Sequence, residues 1–354
     1  MTSDSVITLA HGSGGLDSEN LMQTVFARHF QNDILARLED AATLDLREAL
    51  PGGAMPQKLA VSTDSFVVEP LVFPGGDIGK LAICGTVNDV LMSGAAPKYL
   101  TCGFIIEAGL SISLLDSICA SLADAAREAG VVIVCGDTKV IEGKTQNGGL
   151  MINTSGIGVF DPEGAAAFPP IPAGLVPGDS LIVSGALGDH HAAILSARMG
   201  IENEIQSDCA LLTPVVTALA AAGISVHAMR DITRGGLATV LNELAAASSV
   251  TIELAEGAAP VQPAVKALCG LLGLDPLYMG NEGKMVFAVA ASDETAALAS
   301  VRATEIGRET AVIGRVLLRE KTETLLAPRV FMRTSIGGTR RIDALYGEGL
   351  PRIC

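Results

Sequence analysis

Hydrophobic and polar positions along the chain fall into short apolar runs and helical-period stretches, which predict two successive sets of strands and helices. Residues 58–67, KLAVSTDSFV, read as a strand. Residues 77–93, DIGKLAICGTVNDVLMS, take up helical periodicity, with Asp77 placed to cap the start and Gly94 to stop the end. A strand at about 98–107, an amphipathic helix over 113–129 that stops at Gly130, and the strands VVIVCG and LMINTSGIGVF complete this half. Residues 161–179, DPEGAAAFPPIPAGLVPGD, are a Pro- and Gly-rich connector that turns into the next strand. The theme then returns, with a strand at 180–184, helices at 189–199 and 211–222, a strand leading into DITRGG and a helix over about 235–247. Strands near 250–255, 283–290 and 311–317 follow, with helices at 261–272 and 293–304 between them. The expected fold class is α/β (mixed α+β), in two halves of similar size. The last stretch, RIDALYGEGLPRIC, reads as a tail loosened by Gly347 and Gly349 and stiffened by Pro351. From Gly347 to Cys354 it spans roughly 25 Å when extended.

Composition narrows the setting. Of 354 residues, 49% are hydrophobic, with no Trp and three Tyr, so the cores are built from small aliphatic side chains. The formal net charge of −15 has no offsetting basic run, which argues against nucleic acid or an anionic membrane surface as a partner. An acidic chain still binds a nucleotide where metal ions and backbone N–H groups carry the local attraction. The N-terminus has neither the basic nor the apolar region of a signal peptide, and no apolar run reaches membrane-spanning length uninterrupted. The seven cysteines are scattered, without a CxxC pair, and most sit in apolar stretches such as VVIVC. They read as reduced core residues of a cytoplasmic protein. Cys354 differs, as the last residue in a polar, Gly-rich context.

Six motifs carry candidate chemistry. HGSGG, from His11 through Gly12, Ser13 and Gly14 to Gly15, lets backbone N–H groups converge on an anion, although alone it is equally a flexible turn, and no Gly-Lys-Ser/Thr follows to make it a Walker loop. Asp64, Asp89, Asp137 and Asp231 lie beside strand ends or on a short helix; singly each is a cap or turn residue, but together they suit Mg²⁺ holding a triphosphate. RDITRGGL places Asp231 and the glycines Gly235 and Gly236 at one helix start. In GDTKV, Lys139 follows Asp137 by two residues, as a paired or a functional lysine. In GNEGK, the flanking glycines allow Glu282 close to a reacting group, or mark a surface loop. The tail PRIC ends in a thiol that is not activated by its surroundings but is accessible for modification elsewhere. His190 and His191 have no further histidine at ligand spacing and read as structural.

With HGSGG, TDSFVV, GTVNDVLMSGA, GDTKV, DITRGGL, GNEG and the terminal PRIC assembled, the chain resembles the HypE family of hydrogenase maturation factors over essentially its whole length. That family lies within the superfamily of aminoimidazole ribonucleotide synthetase and selenophosphate synthetase. The internal motifs recur more loosely across the superfamily, and PRIC is the specific one. The resemblance implies a two-domain aminoimidazole-ribonucleotide-synthetase-like fold with a flexible C-terminal tail: residues 1–165 for ATP binding and dimerisation, 166–340 for the second α/β domain and 341–354 for the mobile tail. It implies a homodimer with ATP and Mg²⁺ at its interface. It also implies a reaction, in which the carbamoyltransferase HypF loads Cys354, ATP drives dehydration of the S-carbamoyl group to a thiocyanate, and the cyano group passes to the HypC–HypD complex as an iron ligand for a [NiFe] hydrogenase.

On that basis Asp64, Asp89 and Asp231 are the metal candidates. His11, Gly12, Ser13, Gly14, Gly15, Lys80, Asn88, Asp137, Thr138, Arg234 and Gly235 are the nucleotide-binding candidates, Asp137 standing also at the margin of the metal set. Glu282 is the candidate general base and Lys139 the group orienting the carbamoyl on Cys354. Two other readings compete. A selenophosphate synthetase usually carries Cys or selenocysteine in its N-terminal glycine loop, where this chain has His11 and Ser13, and a thiamine-monophosphate kinase has no use for PRIC. A non-enzymatic carrier would use ATP only to switch the tail.

Overall fold

The computed structural model describes residues 6–13, 15–37, 41–50, 55–56, 58–144, 148–160, 174–319 and 329–346. Gly14 and the tail from Gly347 to Cys354 lie outside the described residues. The chain divides into two compact units, the first made of residues 1–90 and 95–162 and the second of residues 163–353 together with the short stretch 91–94.

In the first unit a helical run that the apolar pattern did not announce comes first: α1 (Leu16–Leu21), a π-helical stretch at Met22–Phe26 and α2 (Ala27–Phe30). The strand β1 (Leu59–Phe66) and a small hairpin of β2 (Val72–Phe73) and β3 (Gly76–Asp77) follow. Next comes α3 (Ile78–Met92), whose start is capped as expected: Asp77 Oδ1 accepts from Gly79 N at 2.7 Å and Lys80 N at 3.0 Å. Gly94, at φ +83°, adopts the left-handed backbone that ends it. The strand β4 (Ala96–Glu107), the helix α4 (Ile112–Ala129) and the parallel strand β5 (Val132–Ile141) form a crossover unit, and β6 (Leu150–Val159) runs antiparallel to both β1 and β4. Ser111 Oγ caps α4 by accepting from Leu114 N. Among the described residues the sheet order is β1-β6-β4-β5, with β1 and β5 at the edges.

The helix α3 is buried along nearly its whole length, and it approaches the sheet closely because β6 offers two glycines beneath it. A Cβ on Gly156 would stand 2.9 Å from Thr86 Cγ2 and Val90 Cγ2, and one on Gly158 would stand 2.4 Å from Val90 Cγ1. Phe26 and Phe30 pack on Phe104 of β4, with ring centroids 4.9 Å and 6.3 Å apart, which is what fastens the N-terminal helical run to the sheet.

The second unit holds, among the described residues, a seven-stranded sheet. Its elements in chain order are β7 (Ser180–Val183), α5 (Asp189–Met199), α6 (Thr213–Ala221), β8 (Val226–Asp231), α7 (Gly236–Ser248), β9 (Thr251–Ala255), α8 (Pro263–Leu272), β10 (Met285–Val289), α9 (Glu294–Arg302), β11 (Ala311–Leu317), β12 (Val330–Arg333) and β13 (Thr339–Arg341). The order is β13-β12-β9-β11-β7-β10-β8, antiparallel throughout except between β9 and β12. Leu181, Val183, Ile232, Leu237, Leu241 and Val286 lie in the core between this sheet and α7. The predicted elements 180–184, 189–199 and 311–317 appear within a residue of their expected bounds. The sequence reading missed β12 and β13. As a result, the expected start of the tail at 341 falls on a residue paired in β13, and the next, Ile342, is fully buried and donates its N–H to Val330 O.

The Gly158 contact yields a stability prediction. Gly158→Ala forces a methyl group against Val90 and should destabilise the chain by about 1–3 kcal/mol, read as a lower urea midpoint with unchanged slope. An unchanged midpoint would show that α3 is free to shift.

Candidate active site

The two units present separate groups of the expected residues. In the first, the alternation of β1 turns Ser62 and Asp64 toward α3, where Ser62 Oγ donates to Asp89 Oδ2 at 2.7 Å. Asp64 Oδ1 accepts from Ser65 N, and its backbone oxygen accepts from Asn153 Nδ2. Asn88, one residue before Asp89, is buried. Asp64 is therefore on the same side of the sheet as Asp89.

Asp137 is not. Through the ladder, Asp64 aligns with Thr154, Thr154 with Cys102 and Cys102 with Gly136, so Asp137 points to the opposite face. It also lies on the other edge, three inter-strand spacings or about 14 Å away. Lys139 shares its face, with Nζ 3.8 Å from Asp137 Oδ2 and both side chains about 70% exposed. Asp137 therefore does not converge with Asp64 and Asp89 within one chain. Asp231 belongs to the second unit, and among the described residues no three His, Cys, Asp or Glu side chains are grouped to hold a metal.

The glycine-rich loop lies against β5 at Val140, whose side chain turns to the face opposite that of Lys139. Gly12 packs on Val140, where a Cβ would meet Val140 Cβ at 2.7 Å, so the close approach requires glycine. His11 Nδ1 accepts from Thr8 N at 3.0 Å, which leaves the ring proton on Nε2. Ser13 Oγ donates to Ala10 O, and the side of Gly15 where a Cβ would stand is open. Thr138 follows Asp137 on β5. Lys80 sits in the first turn of α3, its ammonium 3.5 Å from Gly75 O. The leading N–H groups of that helix are already occupied by Asp77.

In the second unit three loops converge at one end of the sheet. Asp231 closes β8 opposite Met285 at the start of β10, Ile232 N donates to Lys284 O, and Asn281 N donates to Ile232 O. Gly235 and Gly236, at φ +83° and +64°, make the turn past Arg234 into α7, a conformation closed to other side chains. Asn281 is fully buried; its Oδ1 accepts from Gly188 N at 2.7 Å, and its Nδ2 donates to Ile232 O and Met279 O at 3.1 Å. Glu282 follows, half-buried. Its N–H donates to Asp208 Oδ1 at 3.1 Å, and its carbonyl accepts from Ala210 N at 3.2 Å. Lys284 Nζ stands 3.6 Å from Asp208 Oδ2, with the two side chains 11% and 3% exposed.

Charge follows burial here. Desolvation pushes Asp189 up to about 7, helped by the nearby Asp208 and Glu309 charges and opposed by Lys284. Burial pushes His190 and His191 down to about 4, so both are neutral, in keeping with their structural reading. His190 Nδ1 pairs with Ser207 Oγ at 2.8 Å. Burial also pushes the Cys102 thiol up to about 12 and raises that of Cys119, so neither is a nucleophile at neutral pH.

Asn281, Lys284, Asp189 and Asp208 are the polar residues that the sequence reading did not select. The first two lie inside GNEGK and Asp189 inside GDHH, so the motifs were visible while the roles were not. Asp208 lies in a stretch without periodicity and gave no signal.

Comparison with known proteins places this architecture in a class. Residues 38–160 match the N-terminal domain model, and residues 176–325 the C-terminal domain model, of AIR synthase related proteins. The carbamoyl dehydratase HypE of Escherichia coli (strain K12) is 46% identical over 353 residues, covering 98% of this chain and 99% of that protein. A crystal structure of hydrogenase maturation protein HypE in complex with ATP superposes with a TM-score of 0.87 at 45% identity, covering 98% of this chain and 99% of that one. A structure of a HypE–HypF complex matches with a TM-score of 0.74 at 40% identity, over 92% and 99% of the two chains. The fold is thus that of the AIR synthase related proteins. Within that class the chain belongs to the HypE family of carbamoyl dehydratases.

The buried groups set a pH dependence. Between about 4 and 7 the folded chain keeps an Asp189 proton that the unfolded chain releases, so this carboxyl removes stability as pH rises through that window. His190 and His191 act oppositely from about 4 to 6.5, because only the unfolded chain binds their protons. Asp189→Asn should therefore gain thermal stability over the parent as pH rises from about 4 to 7 and hold that gain above it. Parallel melting curves for the two proteins across this range would refute the assignment.

Proposed function

We propose that this chain dehydrates an S-carbamoyl group on its own Cys354 to a thiocyanate at the expense of ATP, supplying the cyano ligand for a [NiFe] hydrogenase. The full-length identity to a carbamoyl dehydratase carries this reading. The carbamoyl oxygen attacks the γ-phosphorus and the bond to ADP breaks. The nitrogen then gives up two protons in turn while the C–O bond breaks to release phosphate. Thiocarboxamide and ATP become thiocyanate, ADP, phosphate and a proton, and the carbamoyl oxygen ends in the phosphate.

Glu282 is the base for the nitrogen protons: it is a half-buried carboxylate whose backbone is held on both sides, so its carboxyl has a fixed origin. Lys139 orients the carbamoyl oxygen, its pairing with Asp137 being exposed and easily exchanged for a ligand. The HGSGG loop, Lys80, Asn88, Asp137, Thr138, Arg234 and Gly235 hold the nucleotide, with the open side of Gly15 giving a phosphate room to approach. Asp64, Asp89 and Asp231 hold Mg²⁺; the shared face of Asp64 and Asp89, with its hydroxyl neighbour Ser62, has the hard oxygen chemistry such an ion takes. Bound there, the ion would neutralise phosphate charge.

A homodimer accords with the sheet face opposite α3, which leaves Val61 72% and Ile105 40% exposed and carries Asp137 and Lys139. The expected partners are HypF as carbamoyl donor, in line with the HypE–HypF structure, and HypC–HypD as acceptor. The expected site of action is the cytoplasm. No described helix is long and apolar enough to cross a membrane. A non-enzymatic carrier would bind ATP without moving oxygen.

Intact mass spectrometry of the carbamoylated protein should show loss of one water at Cys354 only with Mg-ATP, and label from carbamoyl ¹⁸O should appear in phosphate. Cys354→Ala should bind ATP but yield neither product; label remaining in the protein or in water would exclude the phosphorylated route. Asp64→Asn and Asp89→Asn should each raise the Mg²⁺ requirement by at least about tenfold while leaving the melting temperature near that of the parent. A normal Mg²⁺ titration would remove them from the metal site.

A further inference from the structure

The half-buried Glu282 is held by a residue that no motif contains. The segment between α5 and α6 has no regular structure, yet it forms a clamp on the GNEGK loop: Asp208 Oδ1 takes the Glu282 N–H at 3.1 Å, and Ala210 N donates to the Glu282 carbonyl at 3.2 Å. Both backbone polar groups of Glu282 are therefore fixed by residues 208–210. The approach is close enough that Gly283 must be glycine, since a Cβ there would lie 2.0 Å from Asp208 O. The clamp is anchored in turn at Ser207, whose hydroxyl pairs with His190 on α5.

The second carboxylate oxygen of Asp208 is buried and makes no hydrogen bond; it faces Lys284 Nζ at 3.6 Å across an ion pair almost closed to solvent. Lys284 reaches it by crossing Gly185, where a Cβ would stand 2.9 Å from Lys284 Cε. Satisfying one backbone N–H does not require a buried charge, because a neutral amide accepts as well. A buried ion pair is seldom a net source of stability, while it restricts the geometries open to both partners. Here both partners flank Glu282, one on the adjacent loop and one two residues along the same loop, and their charges also act on the Asp189 carboxyl.

We propose that Asp208, held by Lys284, is the positioning residue for Glu282, fixing where its carboxyl meets the carbamoyl nitrogen. This rests on the dehydratase reading above, with Glu282 as the base. Displacing a catalytic group by about 1 Å costs on the order of 10²-fold in rate. The effect should fall on the chemical step and spare ATP affinity.

Removing Asp208 alone would strand a buried ammonium, so the test uses a Lys284→Met background in full-length carbamoylated protein. There, Asp208→Asn keeps the acceptor for Glu282 N–H and Asp208→Leu deletes it. Single-turnover water loss at Cys354 should be rescued to within about fivefold of the parent by the Asn variant and fall roughly 10²-fold in the Leu variant, with equal ATP affinity in both. Adding Glu282→Gln to the Leu variant should cost far less than it costs the parent, because the two act through one carboxyl. Equal rates for the Asn and Leu variants, or full additivity with Glu282→Gln, would overturn the proposal. If the Leu variant does not fold, Asp208→Ser in the same background replaces it, with its shorter acceptor expected to give an intermediate rate; a rate equal to that of the Asn variant overturns the proposal. A parent protein that loses no water with Mg-ATP would instead overturn the dehydratase reading, and a fully active Glu282→Gln alone would overturn the base assignment.

Discussion

The fully buried side chain of Asn281 is the constraint from which the second unit's site follows. An amide sealed from water must satisfy both its donors and its acceptor or cost several kcal/mol. Asn281 does so entirely on main chain, accepting from Gly188 N and donating to Ile232 O and Met279 O. Those atoms belong to the loops after β7 and β8 and to the one before β10. Each loop is thereby set against the others by contacts that do not depend on its own side chains. Asp231, Arg234 and Glu282 sit on loops whose mutual placement this buried amide already sets.

The first unit solves a different problem. It keeps a polar patch under a buried helix by letting α3 approach β6 over Gly156 and Gly158. The close approach brings Asp89 within reach of Ser62 on β1, and so beside Asp64. The same sheet carries Asp137 and Lys139 on its other face. A β-sheet separates its two faces by about the thickness of its own backbone and side chains, so within one chain neither pair can serve the other's ligand directly. The acidic pair has the chemistry of a cation site. The second pair stands on a face still open in a single chain, with exposed valine and isoleucine around it. On the proposed reading that face is completed by a second copy, which makes the position of Lys139 a matter of assembly as well as of fold.

Much of this was legible in the sequence. The helix α4 announces its end with Gly130, and α3 announces both of its ends with Asp77 and Gly94, while the Ser111 cap of α4 was not picked out. The glycines of DITRGG signalled a helix start, and the structure has both in left-handed backbone just where α7 begins. What was not legible depends on pairing across the chain. That Asp64 and Asp137 face opposite ways is a matter of ladder register, to which one residue more or less gives the opposite answer. The helical run from Leu16 was hidden because its continuity passes through a π-helical turn, which breaks the 3.6-residue period. The strands β12 and β13 are only four and three residues long, too short for a periodicity to register. Asp208 was invisible because its contacts are with Glu282 and Lys284, more than seventy residues away.

On the proposed reading Cys354 is the substrate, and the anchoring of the chain just before residue 347 bears on how it would reach a site. Ile342 O accepts from Asn242 Nδ2, and Leu345 N donates to Thr239 Oγ1, so α7 holds the root of the last eight residues. Thr239 is also the residue that packs against Gly235, at the mouth of the DITRGG turn. The root therefore lies about one helical turn from that turn, and eight extended residues reach roughly 25 Å from it. A group carried by those residues would, on that reading, meet a site within reach at an effective concentration in the millimolar range, whatever the concentration of protein. The site then needs little intrinsic affinity for a carbamoyl group, which is small and offers few contacts. Weak capture also suits a group that must afterwards leave for a partner. On the proposed reading, the binding energy is invested in the nucleotide and in holding Glu282, and delivery is left to the length of the tail.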